Sequence, residues 1–126
     1  MPGLVYVASP YSHHNSAVVE SRHREVMHFM TQLAATRYDL VPFSPILHCH
    51  EWAKRHDLPS DAEFWRRQNL TMIRHCDELH VCCLDGWTDS KGVAVEIQFA
   101  KDIGLPIVYW LWNNVLELFE EYTPSR

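Results

Sequence analysis

Leu84-Asp85-Gly86-Trp87-Thr88-Asp89-Ser90-Lys91-Gly92-Val93-Ala94-Val95-Glu96 begins at the end of an apolar run and finishes inside a helical pattern. A hydroxyl, a glycine and a carboxylate follow in order where a strand gives way to a helix. In an open α/β sheet, ligands sit at this kind of junction, because strand carboxyl ends and helix N-termini both open there. Glu96 falls one to two turns into the helix, within reach of the sheet edge. It is therefore a candidate catalytic carboxylate, set against the plainer reading of a surface glutamate.

Outward from this junction the chain alternates strand and helix signals. Residues 79–84 form a run that is apolar apart from His80, suited to burial on both faces of a parallel sheet. Residues 4–8 give another buried strand, broken by Ser9-Pro10-Tyr11-Ser12. A helix begins near Asn15, with Asn15 or Ser16 as its cap, and ends near Arg37. Val19, Arg22, Val26, Phe29, Met30 and Leu33 share one side of it at three-to-four spacing. Residues 40–43 are a short strand in which Pro42 points to a sheet edge or a bulge.

Residues 48–56 read as a short helix, with His50 near its start. A turn follows at Leu58-Pro59-Ser60-Asp61, then a helix over 62–75. Residues 92–103 form the helix that carries Glu96, stopped by Gly104 and Pro106. A strand over 107–111 and a terminal helix over 115–122 complete the chain. This order predicts a three-layer flavodoxin/Rossmann-like α/β fold. It has a 4–5-stranded parallel sheet in the order 2-1-3-4, with helices on both faces. The switch point then lies between the first and third strands, and a pocket is expected between Ala8-Ser9-Pro10-Tyr11 and Leu84-Asp85-Gly86-Trp87.

Length bounds the answer to one domain over residues 1–126. A net charge of −5 offers no footprint for duplex nucleic acid or an anionic membrane surface. No apolar run approaches the roughly 20 residues of a membrane helix. The opening Met1-Pro2-Gly3-Leu4 lacks a signal peptide's basic start and long apolar core. Cys49, Cys76, Cys82 and Cys83 show no CxxC spacing, and Cys82 and Cys83 should point to opposite faces of a strand. These features lead to the expectation of a cytoplasmic protein. His48-Cys49-His50, with His56 nearby, lacks the second half of a zinc pattern, so no metal is expected. His48 is placed at the pocket rim instead, and the loop with His13 and His14 lies near the pocket.

The motifs Tyr6–Tyr11, Phe43–Ile46, Phe64–Arg67, Cys76–Leu79 and Gly86–Glu96 resemble the nucleoside 2-deoxyribosyltransferase-like superfamily. The likeness is to a small branch of bacterial and phage proteins and covers about residues 4–110. It implies that Glu96 attacks the anomeric carbon of a (deoxy)ribosyl group and displaces the base, the logic of a retaining glycosidase. Tyr6 would orient Glu96. Ser90 matches a serine that contacts a 5′-phosphate in the nucleotide hydrolase branch, where transferases carry an aspartate.

Asn69 stands where many members place an aspartate that serves the leaving base, and an amide cannot transfer that proton. Asp77, Asp85 or Asp89 substitutes, or chemistry is impaired, or the protein only binds. Asp77 starts a strand and so lies at the wrong end of the sheet.

The implied function is hydrolysis of the base–(deoxy)ribose bond of a nucleoside 5′-monophosphate, an N-glycosidase activity. The alternatives are a deoxyribosyltransferase and a non-catalytic nucleotide-binding or sensing domain. Glu96, Tyr6 and Asn69 form the expected catalytic set. Ser9, Pro10, Tyr11, Asp85, Trp87, Ser90 and Gly92 form the expected binding set, with Tyr11 or Trp87 stacking on a base. The ligand is a small nucleotide or nucleoside rather than a nucleic-acid polymer, and no cofactor is needed. A homo-oligomer is expected, with Trp110/Trp112 and Phe64-Trp65 as candidate contact surfaces and Arg66-Arg67 as a solvated face or a second contact.

Overall fold

A computed structural model of the chain describes residues 3–59 and 61–124. Met1, Pro2, Ser125 and Arg126, counted above within the domain, and Ser60 of the expected turn lie outside the described residues. Along the chain come β1 (Gly3–Ala8), α1 (Ser16–Thr36), β2 (Leu40–Phe43), α2 (Pro45–Arg55), α3 (Ala62–Arg74) and β3 (Glu78–Cys82). A 3-10 turn (Trp87–Asp89), α4 (Lys91–Asp102), β4 (Ile107–Asn113) and β5 (Leu118–Tyr122) follow.

The strands lie in the order β2-β1-β3-β4-β5. The first four run parallel, and β5 pairs antiparallel to β4. The expected 2-1-3-4 order is thus present, extended by one antiparallel strand.

Pleating sorts the core into two layers. Val5 and Val7 of β1 pack with Val26, Phe29 and Leu33 of α1 on one face. Tyr6 and Ala8 pack with Ile73 of α3 and with Val93 and Ala100 of α4 on the other. Cys82 and Cys83 separate in the same way, one into each cluster. A third, smaller cluster joins Cys49 and Ala53 of α2 to Trp65 of α3. Pro42 sits in edge strand β2 and costs the sheet no central ladder bond.

Caps fix the helix starts. The side chains of Asn15, Ser44, Asp61 and Ser90 accept hydrogen bonds from the first turns of α1, α2, α3 and α4. With Ser44 as cap and Pro45 in its first turn, α2 begins three residues before the expected 48–56 span. His50 therefore lies in mid-helix rather than near the start.

The expected terminal helix over 115–122 is corrected to a hairpin. The Asn113 side chain accepts from the N–H groups of Val115 and Leu116, closing a turn, and Glu117 adopts φ +54°. Both backbone groups of Phe119 are then taken by the Gln32 side-chain amide of α1, at 2.7 and 2.8 Å. That bond pair holds β5 as a strand while the Phe119 ring packs on Phe29 and Trp112. No helix among the described residues is long and apolar enough to cross a membrane.

Candidate active site

The alternation of β1 aims Tyr6 at the α3/α4 layer, where its side chain is wholly buried. On α4 the buried residues Val93, Glu96 and Ala100 recur at three-to-four spacing, the stripe that faces the sheet. Glu96 is thus a carboxylate at a core position, only 8% exposed. A buried carboxylate is costly unless hydrogen-bonded, and the Tyr6 hydroxyl donates to Glu96 Oε2. Burial pushes the Glu96 carboxyl up to about 7, against the opposing pull of the Tyr6 bond. Burial, followed by the neighbouring Glu96 charge, drives the Tyr6 phenol well above its ordinary value, so it keeps its proton and remains the donor.

Glu96 lines a cavity of about 510 Å³. That is within the usual size of a small-molecule site, about 300–1,000 Å³. The walls come from segments that follow the carboxyl ends of three strands: Ser9 and Tyr11 after β1, Ile46 and Cys49 after β2, and Ser90 and Gly92 after β3. The crevice lies beside the expected switch point, but its wall after β3 comes from Asp89 onward rather than from Leu84-Asp85-Gly86-Trp87, none of which lines it. Asn69 of α3 closes one side.

Among the described residues, the buried side-chain polar atoms without a hydrogen-bond partner are Ser9 Oγ and Asn69 Oδ1. Both residues line this cavity. Buried polar groups are nearly always paired, so these two atoms on one cavity wall are available to water or to a polar ligand. Cys49 is a poor rival nucleophile, because burial pushes its thiol up and keeps it protonated.

The rim combines caps with charge. Ser90 Oγ accepts from the Val93 N–H at 3.3 Å, so its hydroxyl serves as helix cap while lining the cavity. Lys91 and Gly92 place the positive end of α4 at the same wall. Across it, Arg66 of α3 lines the cavity and pairs with Glu63 at 3.4 Å.

Arg22 of α1 ties the rim loops together. Its guanidinium donates to the carbonyls of Tyr11 and Ser12 after β1 and of Asp85 after β3. Gly86 lies against it with φ +86°, and a Cβ there would stand 2.7 Å from Arg22 Nη2. A second hollow, about 300 Å³, lies beneath this clamp and shares Ser12, Asp89 and Ser90 with the first.

The structure brings together Tyr6, Ser9, Tyr11, Asn69, Ser90, Gly92 and Glu96 from the expected set. It does not bring in three others. Pro10 is fully buried and does not line the cavity. Asp85 is exposed and contributes its carbonyl to Arg22. The Trp87 ring packs on Tyr109 at 5.7 Å, so of the two candidate stacking aromatics only Tyr11 lines the cavity.

His48 is exposed and packs against Phe43 and Trp52 rather than lining the cavity rim. His13 and His14 stack on each other, and His13 borders the second hollow. Asp77 precedes β3 and accepts from the Leu4 N–H at 2.7 Å, away from the cavity. Trp110 and Trp65 are buried within the chain, Trp110 donating to His80 Nδ1 and Trp65 to the Pro59 carbonyl. Neither presents the outward contact surface expected of it.

Ile46, Cys49, Glu63 and Arg66 also line the cavity, though no spacing in the sequence assigns them there. A capping serine followed by proline, as at Ser44-Pro45, is a signal for a start of α2 early enough to reach the crevice.

No curated protein matches the chain. A family match covers residues 3–112, from β1 through most of β4, and so includes every cavity residue named above. On that coverage the chain belongs to the family described as a domain of unknown function (DUF1937).

Proposed function

We propose that this chain is a nucleotide N-glycosidase related to the nucleoside 2-deoxyribosyltransferase-like superfamily. It would hydrolyse the bond between base and sugar in a (deoxy)nucleoside 5′-monophosphate. One observation carries the reading: a buried glutamate on a cavity wall, hydrogen-bonded to a buried tyrosine hydroxyl.

In this mechanism a Glu96 oxygen attacks C1′, the C1′–N bond breaks, and its electron pair leaves with the base. Water then cleaves the glycosyl ester at C1′, and Glu96 is regenerated as carboxylate. Tyr6 holds the Glu96 carboxylate by hydrogen bonding through Oε2. The α4 N-terminus, with Ser90, Gly92 and Lys91, receives the 5′-phosphate. Tyr11 flanks the base, and the orphaned Asn69 Oδ1 and Ser9 Oγ take donors and acceptors of sugar or base. Asn69 delivers no proton, so the base departs as an anion that water protonates, which lowers the rate. We place the protein in the cytoplasm as a homo-oligomer, with exposed Phe64 as part of the contact.

A second reading, a nucleotide-binding domain without turnover, is favoured by Asn69 itself. A deoxyribosyltransferase differs only in that a second base replaces water. The test is incubation with a panel of deoxynucleoside 5′-monophosphates and the parent nucleosides, with chromatography of the free base. Base release that vanishes in Glu96→Ala supports the hydrolase, and base exchange in place of release supports the transferase. Tight binding without release leaves the binding domain, and neither binding nor release refutes all three.

A further inference from the structure

We propose that Glu20, His23 and His50 form a binding site for one divalent transition-metal ion of the zinc class, between α1 and α2. The proposal is independent of the N-glycosidase reading, and none of the three residues lines the Glu96 cavity.

Glu20 and His23 are three residues apart on α1 and so share a face. His50 of α2 meets that face, and it is only 3% exposed. One donor atom from each of the three lies within 4.8 Å of the others. His50 Nε2 stands 3.3 Å from Glu20 Oε2. In a tetrahedral centre with bonds of about 2.0–2.1 Å, neighbouring donors stand about 3.3 Å apart. This pair therefore already has the bite of two ligands on one ion.

The remaining polar contacts suit the assignment. His50 Nδ1 is engaged by the Tyr11 hydroxyl, which leaves Nε2 as the nitrogen directed at Glu20. A second ring nitrogen held by an outer partner is the usual arrangement for a ligating histidine. Lys54 Nζ holds Glu20 Oε1 at 3.2 Å, leaving Oε2 for the ion. The His23 ring stacks on His50 with centroids 3.9 Å apart and planes 17° from parallel. Partly exposed, His23 must tilt out of that stack to aim its lone pair at the shared point.

Two imidazoles and one carboxylate, with a fourth position for water, make an open zinc-type donor set. Magnesium and calcium prefer all-oxygen sites and are disfavoured. The ion would lock α1 to α2 and, through His50, fix the Tyr11 side chain at the cavity wall.

The test is titration of the full-length, reduced protein with Zn²⁺ by calorimetry and with Co²⁺ by visible absorption. The proposal expects one ion per chain. Glu20→Gln and His23→Gln should each weaken it by at least about tenfold, since even outer partners of a metal cost that much. Both positions are partly exposed, so both variants should fold, and a melting temperature without metal checks this. Zn²⁺ should raise the melting temperature of the wild type, and raise that of both variants less at the same metal concentration. His14→Gln and His56→Gln, outside the site, should bind as the wild type does. Absence of saturable binding overturns the proposal. So does affinity that survives both site variants, or that falls instead with His14→Gln or His56→Gln.

Discussion

Replacing Glu96 by glutamine should change how stability depends on pH, by an amount the burial of that carboxyl sets. Its ordinary value of 4.5 is pushed up to about 7. At about 1.4 kcal/mol per pH unit, this corresponds to roughly 3 kcal/mol. Because the folded value lies above the unfolded one, the contribution is fully present below pH 4.5. It is lost as pH rises through about 7.

Wild-type stability should therefore decline across that window by roughly 3 kcal/mol from this group alone. Glutamine keeps the shape and accepts from Tyr6, yet has no charge to desolvate. Urea denaturation of both proteins at intervals from pH 4.5 to 8 gives the comparison, and the nine histidines cancel in the difference. Relative to wild type, Glu96→Gln should gain stability from pH 4.5 up to about 7 and level off above it. Any constant penalty from the amide shifts the whole curve and leaves its slope intact. Parallel stability curves would refute the buried, destabilised carboxylate.

Three further outcomes follow from the same geometry. Tyr6→Phe removes a hydrogen bond to a charged group, worth about 1.5–3 kcal/mol. The rising limb of the pH–rate profile should move about one to two pH units upward, cutting base release near neutrality about tenfold and restoring it in alkali. An unmoved profile would remove Tyr6 from the site. Asn69→Asp should accelerate base release about a hundredfold by supplying a proton donor, measured by single-turnover chromatography. No gain would mean that Asn69 does not face the leaving base. Gly86→Ala forces a left-handed backbone and intrudes on Arg22, which should cost at least about 1–2 kcal/mol in urea denaturation. A stability equal to wild type would show that neither the left-handed backbone nor the contact with Arg22 demands glycine there.

The layered sheet was readable because its periodicities are local. Residues 4–8 are a short apolar run, residues 79–84 one broken only by His80, and the α1 face from Val19 to Leu33 keeps three-to-four spacing over about four turns. The C-terminal hairpin was not readable from spacing. Val115, Leu116, Phe119 and Tyr122 fit a helical stripe, and the outcome turns on Asn113 closing a turn and on Gln32, far off in sequence.

The site divides in the same way. Glu96 and Tyr6 were legible from the strand–helix junction and the family resemblance. Ile46, Cys49 and Arg66 were not, because their place at the cavity depends on where α2 and α3 cross the strand ends. Glu20 and His23 share a visible helical spacing, but no pattern in the chain announces that His50 meets them.

Whether Glu96 makes a bond to sugar can be observed by mass spectrometry. The protein is mixed with a 2′-fluoro analogue of a deoxynucleoside 5′-monophosphate, whose electron-withdrawing substituent slows breakdown of the ester, then quenched in acid and digested. A pentose-phosphate adduct on the peptide containing Glu96, absent from Glu96→Ala, is the result expected here. Release of base with that peptide unmodified, or at the same rate from Glu96→Ala, would contradict the assignment of Glu96 as nucleophile.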